Sequence, residues 1–230
     1  MNQVLPKLVT KNARIVSIVL VAWVVIGPVG SSMAKSRKVQ DQPVMRVWIY
    51  NYAHVGKTDL GEAEGQAARI FATVGVRIAW TVFSQRPGTG MANSENSVAD
   101  LFLRIFPASM ARRCNYKAGA LGESVISPTA EGPLPGGTAN VFYDRVEHIS
   151  SLWGLAPGEI LGDAIAHELG HLLLGADHSG EGIMKALWSV EDLELAKGDK
   201  LRFSSAETTA LQRAVRSLQK NRSLTIATQR

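Results

Sequence analysis

Two histidines separated by three residues constrain this chain more than any other feature. His167 and His171 flank the run Glu168-Leu169-Gly170. On an α-helix, residues four apart lie one turn apart on the same face, so both imidazole rings can converge on one metal ion. Glu168 directly follows the first ring, where a general base can take a proton from a metal-activated water. The run therefore predicts a zinc-hydrolase site.

The residues around this run predict the helix that it requires. Pro157 suits a first helical turn, and Glu159 and Asp163 favour its positive N-terminal end. Gly175 is expected to end the helix, because glycine adopts positive φ and can turn the chain back towards the metal with His178. The apolar residues that recur at helical spacing before the first histidine are Ile160, Leu161, Ala164 and Ile165.

Three short motifs in this order resemble the metzincin zinc endopeptidases, most closely the matrixin-like branch. They are HELGH, Gly-x-x-His-Ser from Gly175, and Gly-Ile-Met from Gly182. In that family the glycine permits a turn, a third histidine completes the zinc site, and a methionine in a tight turn lies beneath the metal. The resemblance implies His167, His171 and His178 as zinc ligands, Glu168 as general base and Met184 as the Met-turn residue.

The chain departs from the family's spacing by one residue. Gly175 stands four residues after His171, where the family has three. An extra helical residue turns the exit point by about 100°. Asp177 therefore occupies the family's usual ligand position counted from His167, while His178 keeps the usual distance from the glycine. The preserved Gly-x-x-His unit favours His178 as the third ligand, with Asp177 as the alternative.

The first half of the remaining chain predicts a strand, a helix and a second strand. Val44–Tyr52 alternates and is rich in β-branched and aromatic residues. Asp59 and Glu62 form a capping-box-like start for a helix that Gly75 closes, and alternation returns from Val76 to Val82. This order favours a parallel pair with a crossover helix.

Further strands and a last helix complete an α+β fold with a mixed, twisted sheet, a crossover helix, an active-site helix and a C-terminal helix, as in a metzincin-like catalytic domain. In the resembled family an antiparallel edge strand binds an extended peptide, and Ala118–Val125 is the candidate here. Ser204 or Ser205 is expected to cap the last helix. The other strand candidates are 101–106, 118–126 and 139–143, and the loops are 84–97 and 128–137.

The first 34 residues have the pattern of an export signal. Three basic residues precede an apolar run from Ile15 to Ile26, and small residues end at Ala34. Cleavage there would leave residues 35–230 as one zinc metallopeptidase domain, ordered over about 44–218, in the periplasm or outside the cell. An uncleaved membrane anchor is the alternative, although the apolar run is shorter than the roughly 20 residues that span a bilayer.

Charge and cysteine content narrow the remaining functions. After Ala34, 22 Lys and Arg stand against 20 Asp and Glu, and this balance of +2 without a basic stripe predicts no nucleic-acid binding. The single cysteine, Cys114, excludes an intrachain disulfide and is expected to be a buried or partly buried thiol. His54 and His148 have no partner at ligand spacing and are expected to be structural or exposed.

The sequence thus predicts an exported zinc metalloendopeptidase that acts on a peptide or protein substrate. It would hold one zinc ion and hydrolyse peptide bonds by a zinc-activated water with Glu168 as base. Calcium binding and oligomeric state stay open. Two other interpretations also remain: a zinc-bound but non-catalytic peptide-binding module, and an exported interaction protein whose HExxH run is accidental.

Overall fold

Five strands and six helices make up the part of the chain that the structure describes. The computed structural model describes residues 42–83, 100–114, 116, 119–126 and 137–228, with side chains as far as residue 220. The predicted export signal and most of the two predicted loops lie outside these residues. The elements are β1 (Val44–Asn51), α1 (Lys57–Thr73), β2 (Arg77–Val82), β3 (Leu101–Phe106), α2 (Ala108–Arg113), β4 (Gly122–Ile126), β5 (Gly137–Phe142), α3 (Tyr143–Trp153), α4 (Pro157–Leu174), α5 (Val190–Lys197) and α6 (Ser205–Thr228).

The strands form one mixed sheet in the order β2-β1-β3-β5-β4. β1 pairs in parallel with β2 and β3, β3 pairs in parallel with β5, and β4 runs antiparallel to β5 at the edge. Helix α1 connects the parallel pair β1 and β2, as the strand-helix-strand order predicts. The predicted α+β class, with its mixed twisted sheet, crossover helix, central helix and C-terminal helix, is confirmed.

The core lies between the sheet and the helices that cover it. The alternation of β1 places Met45, Val47 and Ile49 inside, each at most 1% exposed. These side chains pack in one cluster with buried residues of α1, α4 and α6. Burial of this apolar surface is the main favourable term for the fold. Among the described residues, no helix combines the length and apolar character that crossing a bilayer requires.

A buried polar pair joins α1 to α4. Gln66 Nε2 donates to Asp163 Oδ1 at 2.8 Å, and both side chains are fully buried. Among the described residues Asp163 Oδ2 has no hydrogen-bond partner. Burial raises the pKa of Asp163 from 3.8 to about 7. The neutral form of this carboxyl group is therefore far more favoured inside the protein than in water.

The helix starts differ from the sequence prediction in one case and agree in another. The prediction of a capping box at Asp59 and Glu62 is wrong, because α1 begins at Lys57 and its N-cap is Gly56, which forms no side-chain cap. Asp59 instead accepts a hydrogen bond from the Tyr143 hydroxyl at 3.0 Å. The predicted cap of the last helix is confirmed at Ser204.

Ser204 and Glu207 form that cap reciprocally. The Ser204 N–H donates to Glu207 Oε2 at 2.7 Å, and the Glu207 N–H donates to Ser204 Oγ at 3.4 Å. Two donors of the first turn are thereby satisfied.

The expected burial of Cys114 is wrong. Cys114 is the C-cap of the short helix α2, which the sequence analysis did not predict, and its thiol is free and exposed. Helix ends commonly lie at the surface. Because α2 was not predicted, nothing in the sequence pattern indicated that Cys114 lies at a helix end.

Candidate metal centre

Helix α4 carries the two motif histidines on one face. Pro157 occupies the first turn, and the helix ends at Leu174 before Gly175, whose φ of +103° is open to glycine and strained for other residues. One turn separates His167 from His171, and their Nε2 atoms lie 3.1 Å apart. The helix alone therefore brings two ring nitrogens together.

Backbone carbonyl groups orient both rings. His167 Nδ1 lies 2.7 Å from the Ile183 oxygen, and His171 Nδ1 lies 2.9 Å from the Gly175 oxygen. A carbonyl oxygen only accepts, so each Nδ1 carries the proton and each Nε2 keeps its lone pair. Burial lowers the pKa of His167 to about 4 and lowers the pKa of His171 as well, so both rings are neutral at neutral pH. Two lone pairs then face each other at a distance that suits a shared cation.

His178 joins these rings from the loop after α4. Its ring centroid lies 4.7 Å from that of His171 and 5.6 Å from that of His167. One ligand atom from each of the three histidines lies within 4.8 Å of the others. Asp177, the alternative from the sequence, is not part of this group. The chain path after Gly175 thus brings His178 to the two helical rings.

The donor set suits zinc. Two nitrogens bound tetrahedrally to one Zn²⁺ at about 2.0–2.1 Å are roughly 3.3 Å apart, close to the spacing of the two helical Nε2 atoms. Three imidazole groups are also a set found in catalytic zinc sites, where one position is left for water or substrate. His167, His171 and His178 can therefore hold a zinc ion.

Glu168 is buried beneath the edge strand. It is 4% exposed, and burial raises its pKa from 4.5 to about 7, which the Ser124 hydrogen bond partly opposes. Ser124 Oγ lies 2.7 Å from Glu168 Oε2 and 2.8 Å from the Glu168 carbonyl oxygen. A Cβ built on Gly122 would lie 2.5 Å from Glu168 Oε1, so only glycine leaves room for this carboxylate. Strand β4 thus contacts both carboxylate oxygens.

Met184, the residue predicted for the Met-turn, is buried against helix α4. It is 1% exposed, and a Cβ on Gly170 would lie 2.5 Å from its sulfur. The turn is closed by the Ser179 N–H, which donates to the Met184 oxygen at 3.0 Å, and by the Ile183 N–H, which donates to the Arg202 oxygen at 2.9 Å. The sulfur therefore packs against the helix between the two histidines.

Trp188 closes one side of the first histidine. Its indole N–H donates to the Ile183 oxygen at 3.1 Å, so it shares with His167 the same carbonyl acceptor. The two rings meet edge to face with centroids 6.1 Å apart. The half-buried ring of Trp188 therefore lies directly beside a candidate ligand.

The other singled-out histidines lie elsewhere. His54 is exposed in the turn after β1 and has a φ of +54°, and His148 is exposed on α3. Neither belongs to the group of three. The roles of Ser124 and Gly122 could not be predicted from the sequence, because their contacts with Glu168 join residues more than 40 positions apart and leave no local signal.

Comparisons with known proteins add little to this geometry. No family model matches the chain, and no curated protein matches its sequence. Among solved structures, archaemetzincin from Methanopyrus kandleri matches at a TM-score of 0.40 and 16% identity, over 78% of this chain and 99% of that one.

Proposed function

We propose that this chain is a zinc-dependent metallopeptidase with His167, His171 and His178 as ligands and Glu168 as general base. The observation that carries the proposal is the pair of Nε2 atoms 3.1 Å apart, with a ligand atom of a third histidine within 4.8 Å of them. A buried carboxylate directly follows the first ligand in the chain. A helix that merely carried two histidines would not need both rings held by carbonyls in the same tautomer.

The residues divide the chemistry between them. Zinc, when bound by the three histidines, supplies Lewis acidity that makes water a nucleophile at neutral pH. Glu168 accepts the proton of the attacking water as the new C–O bond forms. It then returns that proton to the departing amine nitrogen as the C–N bond breaks. Burial raises the pKa of Glu168, which strengthens this carboxylate as a proton acceptor.

Strand β4 gives the substrate a place to bind. The Phe142 N–H donates to the Leu121 oxygen at 2.9 Å, so the main-chain oxygen of Leu121, just before β4, points towards β5. Alternate residues of an antiparallel strand point their main-chain groups to opposite sides. Among the described residues no strand pairs with the outer side of β4. The residues whose main-chain groups point outward are Gly122, Ser124 and Ile126.

An extended peptide can therefore add to β4 as a further strand, and main-chain pairing of this kind accepts many sequences. The edge lies above α4, since Ser124 touches Glu168. A peptide bound there would run past the base. This placement supports the proposal that the substrate is a peptide or protein and that it binds at the edge strand predicted from the sequence.

Finer parts of the proposal come from the sequence. The Gly-x-x-His unit and the methionine under the helix favour a metzincin-like, matrixin-like endopeptidase with one zinc ion. The pattern of the first 34 residues favours export to the periplasm or the cell exterior. An uncleaved N-terminal segment would instead anchor the enzyme to a membrane.

Glu168→Gln is the experiment that tests the proposal, because it removes the base and keeps all three ligands. Wild type is expected to bind one zinc per chain and to cleave an unfolded protein such as casein. The variant is expected to keep its zinc and lose several orders of magnitude in turnover. Glu194→Gln, an exposed change on α5, is the matched control.

Each remaining outcome has a definite reading. Zinc without cleavage in both proteins would favour the non-catalytic peptide-binding module. Absence of stoichiometric zinc from wild type would favour the accidental-motif interpretation. Near wild-type activity in Glu168→Gln would remove Glu168 from its role.

A further inference from the structure

We propose that Ser124 is the positioning residue of this site: its hydroxyl group fixes the Glu168 carboxylate relative to the metal ligands and ties that carboxylate to the strand that receives the substrate. The proposal rests on the peptidase function proposed above. It assigns a role to a residue outside the zinc motif, on a different element of the fold.

The first support is the contact itself. Ser124 Oγ lies 2.7 Å from Glu168 Oε2, within the range of a charge-assisted hydrogen bond. Among the described residues, Ser124 is the one whose side chain forms a hydrogen bond with the Glu168 carboxylate. Without this hydrogen bond, only packing would limit rotation of the carboxylate about its terminal bond, because that torsion has no strongly preferred value of its own.

The second support is that the opposite oxygen is also confined. Gly122, two residues earlier on the same face of β4, leaves the space that Glu168 Oε1 occupies. The hydroxyl therefore holds one oxygen while the bare backbone of Gly122 packs against the other. Catalytic groups need to be held within about 0.5 Å of their productive position, and neighbouring residues normally supply this restraint.

The third support is the second hydrogen-bond acceptor within reach. Ser124 Oγ also lies 2.8 Å from the main-chain oxygen of Glu168, which belongs to helix α4. A hydroxyl has one proton and donates it to one acceptor at a time. Ser124 therefore stays within hydrogen-bond distance of α4 whichever of the two oxygens its proton points to.

The fourth support is the position of Ser124 in the sheet. Its side chain faces α4, while its main-chain N–H and C=O point to the open edge of β4. A peptide that pairs with this edge would bind the main chain of the residue whose side chain holds the base. Binding of the substrate and alignment of the base would then depend on one strand position.

Ser124→Ala and Ser124→Thr test the proposal. Alanine keeps the backbone and removes the hydroxyl, and threonine keeps the hydroxyl and suits a strand. Turnover is measured with a quenched peptide built around a cleavage site mapped in casein. Ser124→Ala is expected to lower kcat by about 10- to 100-fold, the usual effect of losing a residue that orients an active-site group. KM and zinc content should stay near wild type, and Ser124→Thr should recover much of the kcat.

Ser150→Ala is the matched control. It also removes a serine hydroxyl that donates to a backbone oxygen, that of Val146 at 2.8 Å, and it lies on α3, which carries none of the site residues. A kcat for Ser124→Ala within twofold of this control would overturn the proposal. So would a loss confined to KM or to zinc content, since either would give Ser124 a structural or binding role.

A measurement that does not use activity separates this proposal from the proposed function. The unfolding midpoints in urea of Ser124→Ala, Glu168→Ala and the double variant form a double-mutant cycle. The two changes are expected to be non-additive, because each removes the same hydrogen bond. Additive midpoints would overturn the Ser124–Glu168 contact. If the two changes are non-additive and wild type binds zinc but cleaves nothing, the result would instead refute the peptidase function.

Discussion

Replacing Asp163 by Asn should stabilise the folded protein increasingly as the pH rises. Asp163 is fully buried on α4, and Gln66 Nε2 donates to one of its oxygens. Burial raises its pKa from 3.8 to about 7. A carboxyl group whose pKa is raised by folding contributes most to stability below its unfolded pKa, and this contribution disappears as the pH rises through its folded value. Asparagine removes that dependence because it never ionises.

The magnitude follows from the two pKa values. The stability of Asp163→Asn relative to wild type should rise by roughly 2–3 kcal/mol between about pH 5 and about pH 8, as an upper estimate. The buried amide of the variant still accepts from Gln66, and its NH₂ group takes the place of an oxygen that has no described partner. Any cost of burying that NH₂ is the same at both pH values, so the change with pH carries the prediction.

Urea unfolding of zinc-saturated wild type and variant at both pH values measures this difference. Comparing the two proteins at each pH cancels the titration of the site histidines, which both share. Glu194→Gln, which neutralises an exposed carboxylate, is the control. A stability difference between Asp163→Asn and wild type that is equal at the two pH values would show that folding does not raise the pKa of Asp163.

Two further predictions concern the third ligand and the N-terminus. His178→Ala should weaken zinc binding far more than Asp177→Ala in competition with a chelator at fixed pH, because His178 joins the other two rings and Asp177 does not; the reverse order would give the ligand role to Asp177. N-terminal sequencing of exported protein should find Lys35 as the first residue, and a retained Met1 would indicate an anchor.

Regular periodicity accounts for the parts of the fold that the sequence predicts well. The two-residue alternation of β1 and the apolar spacing of α1 reflect one buried face each, so both elements and their parallel crossover follow from local pattern. Strand β3 appears with the same bounds, Leu101–Phe106. Helix α4 was also clear, because Pro157 and Gly175 mark its two ends.

The missed helices have short or irregular patterns. Helix α3 starts directly after β5 without a capping side chain, so no residue marks the change from strand to helix. Helix α5 did carry a signal, since Ser189 and Asp192 form a capping box that the sequence analysis passed over. At Asp59 a similar signal was misleading, because the Tyr143 hydroxyl binds that carboxylate.

The candidate site also contains residues that local sequence pattern predicts and residues that only the fold brings together. His167, Glu168 and His171 lie on one helix, so their spacing alone predicts their approach. Placing His178 depended on the conformation of Gly175, where one extra residue left Asp177 as an alternative. Ser124 was beyond local reasoning, because only the folding of the edge strand over α4 brings it to Glu168.

Zinc K-edge X-ray absorption of the purified protein tests the central claim most directly. The account predicts one zinc per chain with only nitrogen and oxygen neighbours at about 2.0–2.1 Å, and imidazole scattering that falls by about a third in His178→Ala. A sulfur neighbour at about 2.3 Å, which would implicate Cys114, would contradict the three-histidine site. An unchanged spectrum in His178→Ala, or no zinc bound after equilibration with one equivalent, would contradict it as well.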